Sequence, residues 1–483
     1  MPETFQNYID GEWVASETGE TFEVRNPANT GEVVGRFQRS GRGDARRAVE
    51  AAKAASESWG KTPGPERGKV LRRTAERLAE REDELIETLV REEGKTTAEA
   101  APEVGRAVDI FYYYAEKARD LGGTVKSASG QNRNLYTVRE PLGVASLITP
   151  WNYPIAIPAW KIAPALATGN AVLFKPASLA PNVARKLVEC LDESGLPAGV
   201  LNYVTGPGSE VGDAFTTHED VDAVSFTGST VVGSAVYSDA TDAQKRAQTE
   251  MGGKNPTVVM PSGDVDVAVR AVGAGAFGVT GQACTACSRA VVHEAVYDEF
   301  VDRIVDYAES LEVGPGLDGA DVGPQVSESE LQSTLDYVEV GREEGARLVT
   351  GGEALDDGPR ANGYFVQPTV FADVDPDMRI AQEEIFGPVL SVVKVSDLEE
   401  AIRVANDVEY GLSASVITTD LAEANRFVDD VEAGVVKVNE KTTGLELHVP
   451  FGGFKGSSSE TYREQGDAAI DFYTISKTVY LNY

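Results

Sequence analysis

From residue 143 onward the chain alternates short apolar runs with amphipathic stretches, and few folds accommodate that rhythm. Runs at 144–149, 171–174, 201–204 and 223–226 have the length and side chains of buried strands, and helical spacing fills the later gaps, including 180–194. A strand, a helix and another strand in succession form a βαβ unit, which predicts a parallel sheet covered on both faces. A second alternating series starts at Pro256-Thr257-Val258-Val259-Met260 and runs past residue 430, which predicts a second α/β unit. At 483 residues with 42% hydrophobic content the chain can fill two cores, because a single domain usually runs about 100–200 residues.

The segment before residue 143 reads differently. Asn7-Tyr8-Ile9-Asp10-Gly11-Glu12-Trp13-Val14 alternates around Asp-Gly and predicts a β-hairpin. Helical spacing covers 44–59, 65–93 and 102–119, with Leu71, Ala75, Leu78, Leu85, Ile86 and Leu89 on the inner stripe of the second. The third carries Phe111-Tyr112-Tyr113-Tyr114. Residues 475–481 alternate again and read as an edge strand for subunit pairing. There are no internal repeats and no low-complexity linker.

The formal charge is −33, from 77 acidic and 44 basic residues. That excludes a nucleic-acid partner, which requires a basic stripe. The apolar content is too high for disorder, and Lys is absent between Lys254 and Lys394. A folded, Lys-poor, uniformly acidic chain repels itself in dilute buffer and is relieved by salt. This reads as a protein of a high-salt cytoplasm, with an ordinary acidic mesophilic protein as the alternative. No apolar run reaches the roughly 18–20 residues of a membrane span, and Met1-Pro2-Glu3-Thr4-Phe5 lacks the features of a signal peptide. Three Cys cannot build a disulfide framework, which points to a reducing compartment. A cytoplasmic protein without a membrane partner is expected.

The strongest local signal is Phe277-Gly278-Val279-Thr280-Gly281-Gln282-Ala283-Cys284-Thr285-Ala286-Cys287-Ser288-Arg289. A Cys among small residues after a helix has the access a nucleophile needs. Cys190, in an amphipathic helix, reads as a buried structural thiol. Cys284-x-x-Cys287 also fits a redox pair or half of a metal site, although His218, His293 and His448 are scattered without ligand spacing. Spacing alone leaves these readings open. Glu250-Met251-Gly252-Gly253-Lys254-Asn255-Pro256 sets a carboxylate beside consecutive glycines, where it can swing as a general base or merely sit in a turn. Asn152, in Pro150-Trp151-Asn152-Tyr153-Pro154, fits an oxyanion donor or a turn residue before Pro154.

In this order, and over essentially the whole chain, these segments resemble the aldehyde dehydrogenase superfamily. The resemblance implies an α/β aldehyde dehydrogenase fold: a variant Rossmann cofactor domain over 1–124 and 143–250, a catalytic domain over 251–440, and a small β oligomerisation arm over 125–142 and 461–483. It implies oxidation of a small-molecule aldehyde by NAD or NADP in a homodimer or homotetramer, with no metal. Cys284 is then the nucleophile, Glu250 the general base, and Lys161 a further catalytic residue. Asn152 and the Cys284 N–H hold the oxyanion, a contribution of about 3–4 kcal/mol per donor. One family position departs: Thr280 stands where Asn is common, with no expected consequence.

For the cofactor, Lys175 in Phe174-Lys175-Pro176-Ala177-Ser178 resembles the adenine-ribose contact. Ser229, in Phe226-Thr227-Gly228-Ser229-Thr230-Val231-Val232-Gly233, begins a helix suited to the pyrophosphate. Gly206-Pro207-Gly208-Ser209-Glu210-Val211-Gly212 misses the usual dinucleotide fingerprint by one residue, as the family does. Trp151, Gly208 and Gly228 join these contacts, and Glu384 and Phe386 match the nicotinamide-ribose contacts. NAD-selective relatives carry an acidic residue where this chain has Ser178, so NADP is expected to be accepted.

Met251-Gly252-Gly253-Lys254-Asn255-Pro256, Gly444-Leu445-Glu446-Leu447 and Arg463-Glu464-Gln465-Gly466 resemble most the family branch acting on 2-oxoglutarate semialdehyde (2,5-dioxopentanoate). Succinic and other semialdehydes stay open. Substrate contacts are expected from Arg106, Tyr153, Trp160, Thr285, Leu445 and Phe451. Succinic semialdehyde relatives often carry an Arg where Trp160 stands, so Arg106 is the expected carboxylate anchor; an Arg snorkelling to solvent is the alternative. A CoA-acylating relative usually lacks the Glu, and a non-enzymatic protein on this fold would lack Cys284, Glu250 or Asn152.

Overall fold

Both α/β series fold into seven-stranded sheets in the computed structural model, which describes residues 2–483. The first sheet runs, in spatial order, Arg246–Glu250, Ala223–Thr227, Val144–Ile148, Ala171–Lys175, Leu201–Tyr203, Asn7–Ile9 and Glu12–Val14. Its first five strands are parallel. The terminal hairpin turns at Asp10 and Gly11, both left-handed, and adds two antiparallel strands. Helix Ala156–Thr168 is buried along all 13 residues. It is packed between the sheet and the helical layer of Gly64–Glu80 and Thr97–Lys117.

After the terminal hairpin the chain enters the parallel part of this sheet at its third strand, runs out to Leu201–Tyr203, then returns to the opposite side at Ala223–Thr227. That reversal opens a crevice at the carboxyl ends of Val144–Ile148 and Ala223–Thr227, where open α/β sheets bind ligands.

The second sheet runs Arg347–Thr350, Thr369–Ala372, Val389–Val395, Cys287–His293, Asn255–Val259, Ser413–Ile417 and Val435–Val438. All but the first are parallel to their neighbours, and apolar clusters cover both faces. The central strand Cys287–His293 follows the Cys284 loop directly. In a third sheet Thr474–Asn482 pairs antiparallel with Arg133–Pro141, which also pairs with Val125–Lys126. Its outer strand exposes Ile475, Tyr480 and Leu481.

Three sequence expectations change. The helix expected over 65–93 is two helices, Gly64–Glu80 and Glu82–Glu93, because Arg81 leaves helical geometry at φ −108° and ψ 16°. The helix expected from 102 begins at Thr97, where the Glu99 carboxylate accepts the Thr96 N–H at 2.9 Å. Strand Arg246–Glu250 and the hairpin of Thr21–Asn26 with Asn29–Gln38 are additions to the strands expected from the sequence. Among the described residues no helix is long and apolar enough to cross a membrane.

Candidate active site

Cys284 lies on the loop that joins helix Val265–Phe277 to strand Cys287–His293. Asn255 Nδ2 clamps that loop, donating to the carbonyl oxygens of Cys284 and Ala286 at 2.8 Å each. Gly253 runs so close beneath that a side chain there would strike the Cys284 carbonyl. Upstream, Val279 and Thr280 are both left-handed, at φ 51° and 54°. Thr280 is buried and donates to the Gly323 carbonyl at 3.1 Å. Asn adopts this backbone region more readily than a β-branched residue, so the departure from the family pattern carries a backbone cost.

The partly exposed Cys284 faces a cavity of about 570 Å³. All six expected substrate residues, Arg106, Tyr153, Trp160, Thr285, Leu445 and Phe451, line the same cavity. Burial pushes the Cys284 thiol up to about 12, and the carboxylates of Glu384, Glu250 and Glu464 add to the shift. The thiol therefore rests protonated at neutral pH. Cys287 does not share the cavity: it is fully buried, with Sγ 3.2 Å from Thr257 Oγ1. All three Cys are free thiols.

Asn152 sits on the turn after strand Val144–Ile148 and donates Nδ2 to the Gln282 carbonyl at 2.9 Å, two residues before Cys284. One amide hydrogen remains unused by that bond. The turn is pinned from below by Lys95, which donates to the Asn152 carbonyl at 2.8 Å and pairs with buried Glu103 at 2.5 Å. Glu103 in turn accepts the N–H groups of Ile155 and Ala156. This buried pair had no signal in the sequence reading.

Glu250 ends strand Arg246–Glu250 and is buried. Its Oε1 accepts from Gln248 Nε2 and Ser458 Oγ, each at 3.1 Å, and Oε2 accepts from the Gly453 N–H at 3.3 Å. A side chain at Gly452 would meet Oε1 at 2.7 Å. Burial holds the carboxyl well above its ordinary range and Glu464 adds repulsion, while Lys161, Ser458 and Arg463 oppose the shift. A raised carboxyl of this kind suits a general base that works near neutral pH.

Lys161 is joined to Glu250 through a buried chain of contacts. Its ammonium donates to Ser225 Oγ at 2.7 Å, Ser225 donates to Gln248 Oε1 at 2.8 Å, and Gln248 reaches Glu250. Lys161 also pairs with Glu464, whose second oxygen accepts Trp160 Nε1 at 2.8 Å. Glu464 is thus a site residue, although in the sequence it is one carboxylate within Arg463-Glu464-Gln465-Gly466. Arg106 donates to Gln465 Oε1 at 3.3 Å and forms no ion pair among the described residues, although the charges of Glu446 and Asp109 act on it from further away.

The crevice of the first sheet fits a nicotinamide dinucleotide on three observations. Lys175, at the carboxyl end of its strand, is buried with the Pro176 carbonyl as its only partner among the described residues, and burial pulls it down to about 8. The hydroxyls of Thr149, directly after strand Val144–Ile148, and of Thr227, the last residue of strand Ala223–Thr227, are buried with no partner among the described residues. Ser229 is the N-cap of helix Thr230–Asp242, whose first N–H groups favour an anion. A side chain at Gly228 would crowd the Phe226 ring, at 2.6 Å. Ser178 is exposed, its Oγ 3.5 Å from the Gly206 carbonyl, whereas Gly208 opens a short π turn where a side chain would meet nothing. Towards Cys284, the Phe386 and Trp151 rings meet edge to face at 5.5 Å, and Glu384 accepts the Gly253 N–H at 2.8 Å. Burial pushes Glu384 up to about 7.

Comparison with known proteins agrees with this fold. The chain is 64% identical to alpha-ketoglutarate semialdehyde dehydrogenase of Haloferax volcanii over all 483 residues, covering 100% of both chains. It is 45% identical to alpha-ketoglutaric semialdehyde dehydrogenase of Bacillus subtilis, covering 99% of this chain and 98% of that one. A crystal structure of betaine aldehyde dehydrogenase from Staphylococcus aureus in complex with NAD+ matches with a TM-score of 0.96 at 35% identity, covering 99% of this chain and 94% of that one. The aldehyde dehydrogenase family model matches residues 13–479. The chain belongs to the aldehyde dehydrogenase family, and is an oxidoreductase that acts on aldehyde groups with a nicotinamide cofactor.

Proposed function

We propose that this enzyme oxidises 2-oxoglutarate semialdehyde to 2-oxoglutarate. The observation that carries the reading is the shared cavity: Cys284 and a partly buried guanidinium, Arg106, which forms no ion pair among the described residues, line one space. A buried charge is costly unless paired, and a substrate carboxylate is the fitting partner through two parallel hydrogen bonds. The names of the Haloferax and Bacillus relatives accord with that substrate.

Cys284 Sγ, once deprotonated, adds to the aldehyde carbon. The free amide hydrogen of Asn152 and the Cys284 N–H stabilise the oxyanion of the thiohemiacetal. The chemistry that a nicotinamide would supply there is hydride acceptance, which would convert the thiohemiacetal into a thioester on Cys284. Glu250 takes a proton from water as its oxygen attacks the thioester carbon; the C–S bond breaks and the sulfur recovers a proton. Lys161 positions Glu250 through Ser225 and Gln248. Lys175, Ser178, Gly208, Gly228 and Ser229 hold the adenosine and pyrophosphate end, and Trp151, Glu384 and Phe386 the nicotinamide end. NADP is accepted, because Ser178 offers no acidic side chain against a 2′-phosphate.

In this reading residues 1–124 and 143–250 bind the cofactor and residues 251–440 carry the catalytic loop. Residues 125–142 and 461–483 form the arm of a homodimer or homotetramer, and the apolar side chains exposed on its outer strand support that role. The acidic surface suits a high-salt cytoplasm. The test is a comparison of kcat/KM for 2-oxoglutarate semialdehyde and for pentanal. Arg106→Met should cost the anionic substrate about ten- to a hundredfold, the loss of a charged hydrogen bond, and leave pentanal unchanged or faster. An equal fall on both makes Arg106 structural and the substrate assignment unsupported.

A further inference from the structure

We propose that Glu99 is a positioning residue for the nucleophile: its carboxylate holds the Val279 N–H and keeps the turn before Cys284 where Gln282 meets Asn152. The proposal rests on the reading of Cys284 as nucleophile and Asn152 as oxyanion donor.

The turn is strained and has to be held. Val279, Thr280 and Gly281 are left-handed in succession, at φ 51°, 54° and 69°. Glycine occupies that region freely, whereas Val and Thr, branched at Cβ, stay there only where the surroundings compel them. Thr280 is held by its own hydroxyl, which donates to the Gly323 carbonyl. Gln282 is held at both ends of its amide: Oε1 accepts the Val326 N–H at 2.9 Å, and Nε2 donates to the Pro324 carbonyl at 3.3 Å. Val279 has no polar side chain, so only its backbone can be gripped. Its N–H donates to Glu99 Oε1 at 2.5 Å.

The place of Glu99 gives that bond its consequence. Glu99 lies in the first turn of helix Thr97–Lys117, and its other oxygen, Oε2, caps the helix through the Thr96 N–H. Capping needs one oxygen; the second reaches a loop 180 residues further along the chain. Among the described residues, two hydrogen bonds tie residues 278–286 to the first α/β unit: Val279 to Glu99, and Asn152 Nδ2 to the Gln282 carbonyl. Lys95, four residues before Glu99, holds the Asn152 carbonyl. The start of one helix therefore grips the oxyanion turn through Lys95 and the nucleophile loop through Glu99, and sets their separation.

Cys284 follows Gln282 by two residues, so a slip of the turn carries the sulfur away from the free amide hydrogen of Asn152. Attack on the aldehyde depends on that separation, and a displacement of about 1 Å can cost a hundredfold. Glu250 is held independently, by Gln248, Ser458 and Gly453, so the steps before the thioester are the ones that Glu99 controls.

The test is a stopped-flow measurement of the first turnover, with 2-oxoglutarate semialdehyde and saturating NAD(P)+. Glu99→Met, of similar length but without an acceptor, should slow the first formation of reduced cofactor about ten- to a hundredfold and leave the cofactor dissociation constant unchanged. Glu99→Gln, with one acceptor for two N–H groups, should lie between that variant and wild type, and guards against a folding defect of the apolar one. Thr96→Pro separates the cap from the brace. It deletes the N–H that Oε2 accepts at a residue whose φ of −74° suits Pro, and its first turnover should match wild type. Glu99→Met/Val279→Asn should recover most of the lost rate, because Asn accepts left-handed backbone more readily than Val. An unaltered first turnover in both Glu99 variants, an equal loss in Thr96→Pro, a loss matched in cofactor affinity, or one that Val279→Asn does not repair overturns the proposal. Asn152→Ala checks the reading beneath it: a normal first turnover there removes the oxyanion assignment, and the proposal with it, even where Glu99→Met is slow.

Discussion

Ser458 Oγ donates to Glu250 Oε1 at 3.1 Å, on the oxygen that also accepts from Gln248. Both bonds favour the ionised carboxylate against the burial that raises its pKa. Water activation needs the ionised form, so turnover should rise with pH through the Glu250 titration. Ser458→Ala removes one stabilising donor and should move the acid limb of the kcat profile to higher pH, by about one unit for a hydrogen bond to a charged group. A limb that stays in place would detach Glu250 from the rate-limiting proton transfer.

The same raised pKa has a consequence for stability. A folded-state pKa above the unfolded value contributes stability that is complete below the unfolded pKa and lost as pH rises through the folded one. Glu250 therefore weighs against the fold increasingly from about pH 4.5 upward. Glu250→Gln, which cannot ionise, should match the wild-type melting temperature at pH 5 and exceed it at pH 8. Melting curves at the two pH values decide this; a variant less stable at pH 8 would contradict the buried, raised carboxyl.

Cofactor choice should turn on the exposed end of the first sheet. Lys175 is a buried cation with a single carbonyl partner, and Ser178 stands three residues on. Ser178→Glu should shift the ratio of kcat/KM for NAD+ over NADP+ upward by about tenfold or more, from loss of a compatible site for a 2′-phosphate. A wild-type enzyme that uses NADP+ only poorly would remove the basis for this expectation.

The surface should respond to salt. With 77 acidic and 44 basic residues, like-charge repulsion destabilises the compact state and is screened within about 3 Å at molar ionic strength. The melting temperature and activity should climb as KCl is raised from about 0.1 to 2 M, a range over which screening is strong. A salt-independent melting temperature would place the protein with ordinary acidic mesophilic enzymes.

The legible parts of the sequence were those where local preference and tertiary role agree. Strands such as Val144–Ile148 and Ala171–Lys175 are apolar because both faces are covered, and their rhythm revealed the parallel sheet. Arg246–Glu250 is hard to read as a strand because three of its four buried positions hold Gln248, Thr249 and Glu250, and only Ala247 is apolar. Two of these belong to the site, and functional residues are where local rules fail. Glu464 and Glu103 look like solvated carboxylates in the sequence; only the fold supplies Lys161 and Lys95 to pair them. The break at Arg81 was invisible because the apolar stripe continues from Leu78 to Leu85 across it. By contrast, Thr96 followed by Glu99 is a capping pattern that could have set the start of helix Thr97–Lys117.

The two neighbouring thiols should separate cleanly. Cys287 is fully buried and packs against Thr257, so Cys287→Ala should keep most activity with a modest loss of stability, roughly 1 kcal/mol for a small buried side chain. Cys284→Ala should abolish formation of reduced cofactor while leaving the fold intact. An intact mass two units lower under non-reducing conditions would instead point to a Cys284–Cys287 disulfide.

The most direct test of the central claim is to stop the enzyme at the acyl stage. Glu250→Gln, mixed with 2-oxoglutarate semialdehyde and NAD(P)+ and quenched in acid, should release about one equivalent of reduced cofactor per active site and then stall, as loss of a general base requires. Peptide mapping by mass spectrometry should find the acyl group on the peptide carrying Cys284, on that sulfur. Full turnover without accumulation, no adduct, or an adduct on Cys287 would contradict the assignment of Cys284 as nucleophile and Glu250 as base.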